Sequence, residues 1–372
     1  MIGTRTGKTE VVLLPTHRKL STHEVVVHQA LAQKLAGLLG AEFVGLYDSA
    51  IHQGPGLYFV PSDTLIDRDA CTYPDIRSTD DLFGGVIAAP FMSTKALSHP
   101  LPDNAIYRPP GWSDDFHRQA QNAVLGGFSV FDAQDALAVG KQMLADGPLR
   151  LKPVLATAGR GQAVVTSETE LSAAIALQDE NEVREYGLVL EENLHDVVTL
   201  SVGQVQVAGL TASYYGTQDL TRDNQGETVY GGSRLHIVRG DYQTLLGLPL
   251  DDAVRCAVQQ ALAYENAAFA CFPGFIASRR NYDIAQGRNA QGRQRSGVLE
   301  QSWRIGGASP AEIEALLLFD ADPARYQAEV SSHEIYGQTT LPADAQVLYE
   351  GDDPQVGFIT KFIQVEPYER SQ

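Results

Sequence analysis

Cysteine is scarce in this 372-residue chain, and the three present, Cys71, Cys256 and Cys271, stand at spacings that build neither a zinc site nor a disulfide framework. They read as reduced, mostly buried thiols. Basic residues are also in deficit: 28 Lys and Arg against 46 Asp and Glu leave a formal charge of −18, which repels a phosphate backbone and argues against nucleic acid as a partner. That deficit does not exclude a polyphosphate ligand, because a few buried cations and a bound metal ion set the field inside a cleft. No apolar run approaches the ~20 residues that span a bilayer, and the first residues lack the apolar core and cleavage site of a secretory signal. No membrane partner and a cytoplasmic location are the resulting expectations. Low-complexity tracts are missing too, and at roughly 100–200 residues per domain the length suits two or three domains.

What is present alternates helix and strand. EVVLL at 10–14 reads as a buried strand, followed by a helix over Thr22–Leu39 that opens on the capping-box pair Ser21 and Glu24 and stops at Gly40. AEFVGLYD, GLYFVPSD and GGVIAAP add strands between polar turns, giving a small α/β domain over residues 1–90. The pattern turns helical from Asp114 to Asn122, GFSVF is a short strand, and Asp132 caps a helix reaching Ala145. LRLKPVL and QAVVTS are strands joined by the glycine-bearing loop ATAGRG, and Ser167 with Glu170 forms a capping box for a helix ending near Asp179. EYGLVLEENL is a strand ending in carboxylates, and TLSVGQVQVAGLTASYYG reads as one or two long strands. After a helix over 251–270, GFIASRRNYDIAQG and SGVLEQSWRI flank the polar turn GRNAQGRQR as a β-hairpin. Ser309, Pro310 and Glu312 then predict a capping box for a helix over 311–318, and ADAQVLYEG and QVGFITKFIQVEP read as strands of a tail.

In that hairpin the strand period of two puts Glu300, Ser302 and Arg304 on one face and Leu299, Gln301 and Trp303 on the other. Arg279, Asn281 and Asp283 share parity on the facing strand, so two carboxylates and two guanidinium groups are offered to one cleft. Carboxylates one hairpin width apart can share Mg²⁺, a hard cation that prefers oxygen and bridges phosphates. A solvated edge face is the competing account, and the register is open, since Arg279 or Asn281 could stand opposite Glu300 in place of Asp283. The nine histidines are scattered without ligand-pair spacing. No Gly-x-Ser-x-Gly elbow and no Gly-Lys-Ser/Thr ending to a Gly-rich loop occur, which disfavours serine-hydrolase and P-loop chemistry.

EQSWRIGGAS is similar to the metal-binding hairpin of ATP-grasp enzymes, in which a carboxylate strand and a turn precede Glu-x-Asn-x-Arg and Gly-Gly. RLKPVLATAGRGQAVV resembles that family's Lys-Pro strand and glycine-rich flap, FMSTKALSHPLP its stretch with a first phosphate-contacting lysine, and GLVLEENL its linker strand. The matches run in order over about residues 90–320. The resemblance is to a branch classed as a domain of unknown function. It implies a mixed α+β and α/β architecture, the ATP-grasp fold with a small N-terminal α/β (pre-ATP-grasp-like) domain over 1–90. A lid and small subdomain would follow over 91–190 and a β-centred C-terminal subdomain with its tail over 191–372.

Carried over residue by residue, the resemblance implies ATP and Mg²⁺ as cofactors. Lys95 and Arg304 would contact phosphate or substrate. Lys152 and the backbone of Gly159 and Gly161 would cradle phosphates, Glu191, Glu192 and Leu194 would receive adenine, and Asp196 the ribose. Asp283, Glu300 and Ser302 would face metal, with Ser302 standing where the family has Asn. Arg234 and Arg239 either add a cation for the γ-phosphate or are solvated. The implied reaction activates a carboxylate as an acyl phosphate for attack by an amine. The rivals are phosphoryl transfer to a hydroxyl or sugar-like acceptor, nucleotide binding with weakened catalysis, and a carbohydrate-binding or structural β-rich protein. A small-molecule substrate is expected as partner, and a homodimer on base rates alone.

Overall fold

The computed structural model describes residues 7–16, 20–66, 76–155 and 161–367. Strand β1 (Glu10–Leu14), helix α1 (Thr22–Leu39) and strands β2 (Glu42–Leu46) and β3 (Leu57–Pro61) form a three-stranded parallel sheet in the order β2-β1-β3. Parallel neighbours need a crossover, and α1 supplies it between β1 and β2. Its ends lie where the sequence places them. Glu24 accepts the Ser21 N–H at 2.9 Å, and Gly40 closes the helix in the left-handed region at φ 69°. Short strands β4 (Leu65–Ile66) and β5 (Gly85–Ile87) lead into two 3₁₀ turns, Pro90–Ser93 and Lys95–Leu97, and then helix α2 (Asp114–Ala120).

Next in the chain come β6 (Gly127–Val130), α3 (Ala133–Leu144), β7 (Leu149–Pro153), β8 (Ala163–Val165), α4 (Glu168–Ala176), α5 (Glu180–Tyr186) and β9 (Leu188–Glu192). Their strands make an antiparallel sheet in the order β6-β9-β7-β8, whose core joins Ala136 and Val139 of α3 and Leu171 of α4 to Leu149, Leu151 and Leu190. The helix expected to end near Asp179 is α4, and a second helix that the sequence reading did not place follows it. α4 stops at Ala176, and Asp179 restarts the chain as α5 by accepting the N–H groups of Asn181 and Glu182 at 2.9 Å each. Glu170 reaches back to the N–H and hydroxyl of Thr166, both at 2.8 Å, one residue before the expected partner Ser167.

The rest of the chain is β10 (His195–Val207), β11 (Leu210–Arg222), β12 (Thr228–Arg239), α6 (Tyr242–Leu246), α7 (Asp252–Cys271), β13 (Ile276–Ala277), β14 (Arg279–Arg288), β15 (Gln294–Ser302), α8 (Ser309–Ala321), β16 (Gln327–Tyr336), β17 (Gln346–Asp353) and β18 (Gly357–Val365). Eight of these strands form an antiparallel sheet in the order β15-β14-β10-β11-β12-β16-β18-β17, with the hairpin at one edge and the tail strands at the other. On one face α7 buries Val254, Ala257, Ala261 and Ala268 against Val202, Tyr282 and Ile284. On the other, Leu31 and Leu35 of α1 and Leu316 and Phe319 of α8 pack with Val205, Tyr214 and Leu235. The 1–90 segment therefore shares a core with the large sheet, and β5 also pairs with β13. Among the described residues no helix is long and apolar enough to cross a membrane.

The sequence reading places no strand at β12 or β16. Gly231 and Gly232 dilute the pattern of the first, and Ser331, Ser332 and His333 that of the second, so their extended state comes from pairing with β11 and β18. The expected capping box at α8 is also absent: the helix starts at Ser309, its N-cap Ala308 has no side chain able to cap it, and Pro310 sits in its first turn. Glu312 is instead fully buried and ion-paired with Arg279. A buried guanidinium without a counter-charge would cost several kcal/mol, more than the ~1 kcal/mol a cap supplies.

Candidate functional site

The hairpin register sets Asp283 opposite Glu300 and Asn281 opposite Ser302. One step further Ile284 faces Val298, so Leu299 is an extra, bulged residue. Plain alternation would put Val298 and Glu300 on one face. The bulge turns Val298 into the α7 core and leaves Glu300 beside Asp283. Three neutral donors hold Oδ1 of Asp283: Gln218 Nε2 at 2.8 Å, Asn281 Nδ2 at 3.0 Å and Ser201 Oγ at 3.3 Å. Burial and the neighbouring Glu300 raise the Asp283 carboxyl above its ordinary range. Burial acts the same way on Glu300, but Lys95 at 3.1 Å, with Arg304 and Lys152, outweighs it and holds that carboxyl below its ordinary range. Lining an open cleft, Glu300 keeps 40 % of its side chain accessible, so solvent screens part of this attraction.

Lys95 reaches Glu300 because of the residue after Glu300. Gln301 points to the opposite side and donates Nε2 to the carbonyls of Met92 at 2.7 Å and Thr94 at 2.8 Å, which pins the two 3₁₀ turns on β15. Thr94 Oγ1 then accepts from Ala96 N at 3.1 Å and caps the turn that carries Lys95. Four residues on, His99 Nε2 lies 3.0 Å from Glu191 Oε2, and the other oxygen of Glu191 is 2.5 Å from Lys152 Nζ. One segment, 92–99, thus joins the metal-type hairpin to the small sheet that holds Lys152 and Glu191. Burial pushes the Glu191 carboxyl up, but Lys152 and His99 overcome this and bring it down to about 2.

Arg304 follows β15, with Nε 3.5 Å from Asp63 and Nη1 donating to the Ile305 carbonyl at 2.9 Å. It borders a cavity of about 490 Å³ lined also by His23, Glu24, Gly307, His333 and Lys361. Two guanidinium groups converge at Gly306, where a Cβ would be in ordinary contact with both, 3.5 Å from Arg304 Nη1 and 3.9 Å from Arg279 Nη1. The structure accordingly brings Lys95, Lys152, Glu191, Asp283, Glu300 and Arg304 into one region, through the contacts given above.

Other residues singled out in the sequence stand apart from it. Ser302 Oγ accepts from Arg279 Nη1 at 3.0 Å. Glu192 accepts from Gly126 N and from Arg295 Nε, each at 2.8 Å, and so ties β9 to the hairpin. Leu194 packs with Leu125 and Ala285. Asp196 is exposed at an irregularity of β10 with φ 52°, and no described hydrogen bond or ion pair links it to Lys152, Glu191 or Glu300. Gly161 has a φ of 69°, whereas Gly159 lies outside the described residues. Arg234 is half-exposed at 3.9 Å from Glu329, and Arg239 donates to the Phe319 carbonyl. Sequence reasoning missed His99, Gln301 and the Arg279–Glu312 pair. The available signals were the four-residue spacing of His99 from Lys95 and a glutamine on the face otherwise taken by Leu299 and Trp303.

Acid lability follows from this neighbourhood. His117 stacks on Trp112 at 4.7 Å, and burial, aided by nearby His99, lowers its imidazole to about 3. An unfolded histidine binds its proton near pH 6.5, so between about pH 6.5 and 3 the unfolded chain holds more protons than the native one and stability falls as pH falls. Glu191 adds a further loss from about pH 4.5 downward, because its native carboxyl stays ionised to about 2. The urea midpoint should decline steadily below pH 6.5, and His117→Phe should flatten the 6.5–4.5 part of the profile. A profile unchanged by that substitution would count against a buried neutral imidazole.

No curated protein sequence matches this chain. Among solved structures, biotin carboxylase of Campylobacter jejuni, in complex with β-γ-ATP, superposes with a TM-score of 0.52 at 12% identity, over 97% of this chain and 88% of that one. Phosphoribosylamine–glycine ligase of Thermotoga maritima does so with a TM-score of 0.54 at 11% identity, over 96% of this chain and 93% of that one. At such identities the likeness is one of fold alone, and the fold, as the hairpin and lid lead one to expect, is ATP-grasp. The family model described as Protein of unknown function (DUF3182) matches residues 11–363, and the chain belongs to that family.

Proposed function

We propose that this protein is a Mg-ATP-dependent ligase that activates a small-molecule carboxylate as an acyl phosphate and passes the acyl group to an amine. The observation that carries the reading is the approach of Lys95, with Lys152 and Arg304 near by, to the Asp283–Glu300 carboxylate pair across the boundary of two sheets. The carboxylates fit a magnesium ion, which takes one or two of them and completes its shell with water and phosphate oxygens. When bound, the ion would neutralise charge on the transferring phosphoryl group.

The chain's own part is positioning and electrostatics. Lys95, held by the Thr94 cap and the Gln301 clamp, aims an ammonium at the phosphates, and Lys152 adds a second from β7. A substrate carboxylate seated beside Arg304 in the 490 Å³ cavity needs no base, being already a nucleophile. Its oxygen attacks the γ-phosphorus and ADP leaves. An amine then attacks the acyl carbon, phosphate leaves, and the amine proton passes to solvent or phosphate.

Incubation with Mg-ATP, a panel of carboxylic acids and hydroxylamine tests this, because an acyl phosphate is trapped as a hydroxamate in step with ADP. A stable phosphate monoester from an alcohol would assign phosphoryl transfer to a hydroxyl instead. No stabilisation by Mg-ATP, where a ligand at 100 times its Kd gives about 2.7 kcal/mol, would end the nucleotide reading altogether.

A further inference from the structure

We infer that the hairpin holds one divalent ion, clamped between a single oxygen of Asp283 and a single oxygen of Glu300, and that Arg279 withholds Ser302 from metal. The inference rests on the nucleotide reading above and adds the stoichiometry of its metal. It comes from counting oxygens. All three donors to Asp283 converge on Oδ1, and Lys95 occupies Oε2 of Glu300. Each carboxylate keeps one oxygen without a hydrogen-bond partner among the described residues. The two residues are opposite one another in register. Two such oxygens, with water and phosphate oxygens, fill the octahedral shell of one magnesium.

A second ion would need Glu300 to bridge through both oxygens, one of which already faces the buried Lys95 ammonium, a charge that repels a cation, and it would need another protein oxygen at the end of the strand. The candidates there are already committed. Oγ and the carbonyl oxygen of Ser302 both accept from Arg279 Nη1 at 3.0 Å. The remaining nitrogens of Arg279 are fixed by Glu312 at 2.8 to 3.1 Å, in a pair with 1% and 0% of the side chains exposed. Asn281, opposite Ser302, donates Nδ2 to Asp283 at 3.0 Å, and its Oδ1 lies 2.8 Å from Tyr214 Oη, against the buried Glu312. A guanidinium held at hydrogen-bond distance from the Ser302 hydroxyl repels any cation approaching it. Arg279 is in this sense a positioning residue, since it decides which oxygens the hairpin offers. Phosphate charge that a second ion would neutralise is left to Lys95 and Arg304.

Manganese counting tests this without turnover. The full-length protein is loaded with Mn²⁺ and an imido-bridged ATP analogue, and bound Mn²⁺ per retained nucleotide is read by electron paramagnetic resonance. One ion per nucleotide is expected, without the spin–spin broadening of two ions about 3.5–4 Å apart. Asp283→Asn should weaken Mn²⁺ binding at least about tenfold, while Ser302→Ala should change it by no more than about twofold. Two ions per nucleotide, or a tenfold loss in Ser302→Ala, would overturn the single-ion inference and leave the nucleotide reading standing. Failure to retain nucleotide at all would sink both.

Discussion

Glu300→Gln is expected to abolish stabilisation by Mg-ATP and to lower kcat/KM by about 10²–10³-fold, the range for losing one preorganised electrostatic contact. The cause is local. Glutamine still accepts a hydrogen bond from Lys95 but offers no charge to a metal, so the cleft loses half of its carboxylate pair. Stability without ligand should change little, because the Lys95–Glu300 pair is open to solvent on the Glu300 side and such pairs contribute about 0–1 kcal/mol. Thermal unfolding of wild type and variant, with and without Mg-ATP, separates the two effects. If the variant retained a magnesium-dependent shift of wild-type size, the hairpin could not be the metal site.

Lys152→Met is expected to act on the fold as strongly as on the ligand. Glu191 is 2% exposed and its two oxygens are held by Lys152 and His99 alone among the described hydrogen bonds. Removing the lysine leaves a carboxylate in a dry site, at a cost of about 3–5 kcal/mol. The carboxyl would then titrate upward, losing the pairing that brings it down to about 2, so the variant should take up a proton on folding at pH 5 where wild type does not. Lys152→Met combined with Glu191→Leu should recover most of the stability and none of the nucleotide response. Urea unfolding of both singles and the double closes the cycle. A single-variant cost below about 1 kcal/mol would mean that water reaches the pair.

The two substitutions test different parts of the architecture, and those parts differ in how far the sequence exposes them. Helix α1 was legible to the residue, because its capping box and its glycine stop are local signals and its apolar stripe has the helical period. The hairpin was legible for the same kind of reason: two strand patterns flank one polar turn. Strands β12 and β16 were not, since nothing within them outweighs their glycines and serines until β11 and β18 lie alongside.

By itself, then, the sequence determined the helix ends, the hairpin, the parity of Asp283 with Asn281 and Arg279, and the order of the candidate motifs. These depend on period and capping, which are interactions between residues a few positions apart. Only the tertiary structure decided which oxygens face the cleft. The bulge at Leu299, the Gln301 clamp on Met92 and Thr94, the His99–Glu191–Lys152 chain and the Arg279–Glu312 pair join residues from 33 to 209 positions apart, apart from the bulge itself. Each side chain in these contacts is chemically able to do something else: Glu312 could cap a helix, Ser302 could meet a metal and Lys152 could lie in water. Burial removes those alternatives, because a charge or donor taken out of water must find its partner in whatever the fold has placed beside it.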